Sequence, residues 1–164
     1  MMGRLIGMLL LAGVCVAPAM AQLPDRPNFY QSDMVMKNAC SKAELGRLQK
    51  EVVAAAGGNA AHEAWTLAAK MLCGQSAEAR KYVLERTANP FKVRAGGDEE
   101  GAAVRKAKAS SLKLVQMEAW DTSVVSTGNG VSVMYSSGDV CVASFEMAEV
   151  KGKWKIVATG EACD

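Results

Sequence analysis

The chain has 164 residues and a mass of 17.3 kDa; half of its residues are hydrophobic, and 19 basic against 17 acidic side chains give a formal net charge of +2. That length sets one small domain as the default. The composition is too apolar for a disordered tail and too evenly charged for a DNA-binding arm.

Arg4 is the only charge before an apolar run from Leu5 to Val16. The run is shorter than the roughly 20 residues a membrane-spanning helix needs. It leads to Ala19-Met20-Ala21, the small-x-small pattern at which a secretory signal peptide is cut. Residues 1–21 are therefore expected to be a signal, leaving a chain that starts at Gln22. The alternative is a lipoprotein signal acylated at Cys15, which Val14 disfavours because such signals place a small residue there. Export to the periplasm or the medium follows from either reading.

Residues 22–39 carry Pro24 and Pro27 and hold no steady period, as in an extended arm that Phe29 and Tyr30 would pin. Ser41 and Glu44 have capping-box spacing and open a helix. Leu45, Leu48, Val52 and Ala55 recur on one face until Gly57-Gly58. Asn59 is placed to cap a second helix, with Trp65, Ala68, Ala69 and Leu72 as its apolar stripe and Gly74 as its stop. A third helix follows Ser76 and runs to Asn89-Pro90, so that helices occupy 41–88. A glycine-rich, acidic loop covers 89–101, and 102–109 reads equally as a short helix or the start of a strand.

From about 110 to 162 the pattern is that of strands. Leu112, Leu114, Gln116, Glu118 and Trp120 alternate, and Val131 to Tyr135, Val140 to Val150 and Trp154 to Thr159 follow, separated by turn residues. Helices followed by an antiparallel meander make an α+β domain over 40–164.

Without Cys15, four cysteines remain, an even number suited to an oxidising compartment. Cys40 lies seventeen residues before Gly57 and Cys73 fifteen after Gly58. Two antiparallel helices would therefore bring them level, which predicts a Cys40–Cys73 bridge. Cys141 and Cys163 fall at the open end of the last hairpin. A two-residue Lys151-Gly152 turn pairs Val150 with Lys153. It puts Ala143, Phe145, Met147, Trp154, Ile156 and Ala158 on an apolar face. Ser144, Glu146, Lys153, Lys155, Thr159 and Glu161 fall on a wet one. In that register Cys141 and Cys163 are one residue out of step, so their bridge requires a one-residue bulge, expected near Gly160.

The hairpin FEMAEVKGKWKIVATGEA, preceded by a helical first half, resembles the end of NTF2-like (SnoaL and cystatin-like cone) proteins. That resemblance implies a curved antiparallel sheet around a long helix, with an apolar pocket between them. It covers only about Val140 to Ala162 and the order of elements. The family's His–Asp arrangement has no place here, because His62 is the sole histidine.

No side-chain constellation points to catalysis. His62 sits beside Glu63 in the first turn of a helix, where an exposed polar residue is ordinary. Glu118 and Asp121 have opposite strand parity, and Asp98-Glu99-Glu100 lacks the alternating ligands of a calcium loop. Arg94, Arg105, Lys106 and Lys108 form a basic stretch without interleaved aromatics, so nucleic acid is not expected. Met34-Val35-Met36 reads as packing, and neither a metal nor a cofactor is expected. Two functions fit. The first is an exported, non-catalytic accessory protein that binds another protein of the cell envelope through the arm Leu23 to Tyr30 and Trp120. The second is a small-molecule binder or enzyme whose pocket Tyr82, Trp120, Tyr135 and His62 would line.

Overall fold

The computed structural model describes residues 36–95, 103–138 and 141–163. The expected signal, all but the end of the arm, and the acidic Asp98-Glu99-Glu100 lie outside these residues. The described residues belong to one compact unit, Val35–Asp164. Three helices precede six strands: α1 (Lys42–Ala56), α2 (Ala61–Cys73), α3 (Ala77–Glu85), β1 (Thr87–Ala95), β2 (Ala103–Ala107), β3 (Trp120–Thr127), β4 (Gly130–Ser137), β5 (Cys141–Val150) and β6 (Lys153–Cys163). Among the described residues no helix is long and apolar enough to cross a membrane.

Local chemistry sets the helix ends. The hydroxyl of Ser41 accepts from the Glu44 amide (3.3 Å) and that of Ser76 from the Ala79 amide (3.1 Å), each satisfying a first-turn donor that the helix itself leaves free. Gly57 closes α1 at φ 62, a left-handed conformation that favours glycine. α2 instead starts at Ala60 with no side-chain cap, so Asn59 does not fill the role its type suggests. Cys40 and Cys73 are bridged across the open end of the α1–α2 hairpin, with Cα atoms 5.7 Å apart. Arg47 ties α1 to β3: its guanidinium pairs with Glu44 and Glu51 and donates to both oxygens of Thr122.

The six strands form one sheet in the order β2-β1-β6-β5-β4-β3. The helices pack on one face, around Val131, Val133, Phe145, Met147, Trp154 and Ile156. Two expectations are corrected here. The sheet is mixed, because β1 pairs parallel with β6. Residues 87–95 also form a strand where the end of a helix and a loop were expected. Pro90 is tolerated because the β1–β6 ladder is interrupted between Thr87 and Lys92, so its missing N–H breaks no bond there. Within the ambiguous stretch 102–109, Ala103–Ala107 form β2, paired with β1.

Residues 110–119 are the third correction, since no strand forms between β2 and Trp120. A short 3-10 turn at Ala109–Ser111 leads into a segment whose amides at Val115 and Met117 donate to the Met71 and Leu72 carbonyls (3.0 and 2.8 Å). Those carbonyls belong to the last turn of α2, which has no partner of its own for them. Leu112, Leu114, Val115 and Ala119 are all buried, so the alternation that suggested a strand is filled in by tertiary packing.

The β5–β6 hairpin carries the expected Cys141–Cys163 bridge, with Cα atoms 4.2 Å apart. It also carries the bulge that this bridge requires, three residues earlier than expected. Met147 pairs with Ile156 and Glu146 with Ala158, which leaves Val157 as the extra residue rather than Gly160. Ala143, Phe145, Met147, Trp154 and Ile156 are buried as the apolar face requires. Ala158 is buried too, but it pairs with Glu146 and Lys92 on the opposite face.

A candidate ligand cleft on the inner sheet face

A bulge of one residue reverses the facing of everything beyond it. Past Val157, Thr159 pairs with Phe145 and with Val93, and Glu161 pairs with Ala143 and with Ala95. Both side chains thus stand on the helix-facing side of the sheet instead of the wet side assigned to them by the regular hairpin register. There they border a half-open cleft of about 520 Å³. Its floor is apolar, built from Phe91, Val93 and Ala143 of the sheet together with Leu112 and Leu114. Its rim is polar and of mixed sign, with Arg105 and Lys113 against Glu118 and Glu161.

Tyr135 stands between floor and rim. Its ring lies 6.4 Å from that of Phe145 and tilted to it. Burial holds its phenol in the neutral form, and the nearby Glu161 charge adds to this, so that its pKa is pushed up to about 12. Tyr135 is thus a neutral hydrogen-bonding group throughout the physiological range, and it shares the cleft wall with the hydroxyls of Ser137 and Thr159.

The four residues expected to line a pocket do not converge. Tyr135 alone borders the cleft. Tyr82 lies on α3, where Arg86 stacks on its ring at 3.8 Å and Lys70 approaches at 5.3 Å. Arg86 in turn pairs with Glu63 of α2 at 3.2 Å, so this cluster joins two helices. Trp120 is half-buried and bridged by Asn38, while the Asp121 carboxylate accepts from the Lys37 amide. His62 is exposed on α2 and its carbonyl accepts from the Thr66 hydroxyl. The arm Leu23 to Tyr30 lies outside the described residues. Cys141, Glu161 and Cys163 lie close enough to suggest a metal site, but both sulfurs are joined in the disulfide and are not free to ligate.

No protein-family model matches the sequence, and no curated protein does. Solved structures do. One is an NTF2-like protein of unknown function from Pseudomonas putida KT2440, 11% identical, with a TM-score of 0.40 over 65% of this chain and 89% of that one. A second, from Silicibacter pomeroyi DSS-3, is 13% identical, with a TM-score of 0.37 over 63% of this chain and 91% of that one. A third, from Novosphingobium aromaticivorans, is described as NTF2-like with a cystatin-like fold; it is 10% identical, with a TM-score of 0.31 over 76% of this chain and 90% of that one. These neighbours are NTF2-like proteins. That is the family the final hairpin resembles.

Proposed function

We propose that the chain is exported and binds a small amphipathic molecule in the cleft between the inner sheet face and the 111–115 segment. The observation that carries this reading is the cleft itself, an apolar floor with the neutral Tyr135 phenol set into it and charges confined to the rim. An apolar body would lie on Phe91, Val93 and Leu112, and a polar end would meet the Tyr135 hydroxyl. Export is supported by the leader pattern of residues 1–21 and by two formed disulfides, which suit an oxidising compartment. Trp120, one half of the docking surface expected for an envelope partner, is half-buried, which favours the cleft as the working surface.

Native mass spectrometry of the exported protein, purified without denaturation, tests this. An added mass released on unfolding is expected, together with enhanced anilinonaphthalene-sulfonate fluorescence that a cleft-filling Thr159→Trp variant suppresses. A bare chain whose dye response is the same in that variant would remove the proposal.

A further inference from the structure

The sheet has a second face, turned away from the helices, and its charge is one-sided. Residues 87–95, 103–108 and 150–160 together carry eight Lys or Arg side chains and no Asp or Glu. Strand register brings these separate stretches together. Lys92 of β1 stands directly opposite Lys106 of β2 and beside Ala158 of β6. Lys153 and Lys155 alternate with the buried Trp154 and Ile156 and so point to the same outer side. Along with Lys151 they line a shallow hollow of about 500 Å³ against Ala88, Asn89 and Pro90. Glu146 reaches this face from β5, but Arg94 engages it in an ion pair. Among the described residues Lys92, Lys106, Lys151, Lys153 and Lys155 take part in no ion pair.

Like charges placed directly opposite each other repel, so the Lys92–Lys106 pairing concentrates positive charge that an anion outside the protein would relieve. Apolar side chains share the surface. Val104 stands opposite Arg94 and is 56% exposed, and Val142, Met134 and Val125 are exposed farther across the same face. We propose that this face docks on an anionic phospholipid bilayer. Lysine ammonium groups would meet the headgroup phosphates while the exposed valines and Met134 enter the interface. A single-stranded nucleic acid fits less well, because Phe91, Tyr135, Phe145 and Trp154 all turn inward and leave the basic area without a stacking platform.

The test is sedimentation of the full exported protein with vesicles of phosphatidylcholine alone or of equal parts phosphatidylcholine and phosphatidylglycerol. Binding that requires phosphatidylglycerol and weakens with salt is expected. Changing Lys92, Lys106, Lys153 and Lys155 together to Gln lowers affinity roughly six hundredfold at low salt, at about fivefold per lysine. The same four positions changed to Arg retain binding, which tells loss of charge from loss of fold. Changing the exposed helical Lys42, Lys50 and Lys81 to Gln also retains it. Phosphatidylglycerol-independent binding, an equal loss in the helical variant, or capture of duplex DNA or polyglutamate in place of vesicles would overturn the proposal.

Discussion

Tyr135 shows how one side chain reports on its surroundings. Its pKa is pushed up to about 12 chiefly by desolvation, with Glu161 as the smaller cause. The folded chain therefore holds the phenolic proton in a pH window where the unfolded chain, with a tyrosine near 10, has lost it. The linked stability is fully present below pH ~10 and falls as pH rises from ~10 to ~12. Ultraviolet titration of the native protein is expected to show a late-ionising tyrosine that Tyr135→Phe abolishes. Glu161→Gln should lower that transition without restoring an ordinary value, because the larger cause is left in place. Full recovery in Glu161→Gln would mean that charge, not burial, governs the site. Tyr135 was legible in the sequence as a polar-tipped aromatic on a strand. Thr159 and Glu161 were not, since a regular Lys151-Gly152 hairpin sends both outward. The cysteines showed that an extra residue had to be absorbed somewhere in this hairpin, but not that Val157 absorbs it.

The elements best read in advance were those fixed by short-range chemistry: the Ser41 and Ser76 caps, the Gly57 stop and the helical hairpin that the Cys40–Cys73 bridge closes. The two disulfides span 33 and 22 residues, so in the chain-entropy picture each contributes about 3–4 kcal/mol. Replacing Cys40 and Cys73 by Ala together is expected to lower unfolding free energy by about that amount in a denaturant titration. A change below about 1 kcal/mol would show that the α1–α2 hairpin holds itself without the bridge. The elements misread were those decided by distant partners. Asn89-Pro90 carries a local signal to stop, yet the ladder gap beside β6 lets a strand pass through it. Leu112 and Leu114 alternate like a strand, yet the backbone that follows bonds to the end of α2. In both places the outcome depended on which carbonyl or edge was free elsewhere.

At the scale of the whole molecule, the helices divide one sheet into two unlike surfaces. The covered side encloses the cleft; the bare side gathers lysines from β1, β2 and β6 that lie up to 63 positions apart in the sequence. The α+β class and its helices-then-strands order were legible from periodicity alone. The strand order β2-β1-β6-β5-β4-β3 was not, because one parallel pairing depends on the chain's last strand returning to the middle. That return governs assembly. The β1–β2 hairpin and the β3–β4–β5 block cannot join until β6 slides between them, so the sheet stays in two pieces while residues 153–163 are still missing. A chain stopped after Gly152 should leave the β1–β2 amides open to hydrogen exchange, and protection should appear only when the last strand is supplied. On the export route proposed above, such a late-arriving keystone would delay closure of the sheet until residues 153–163 have crossed.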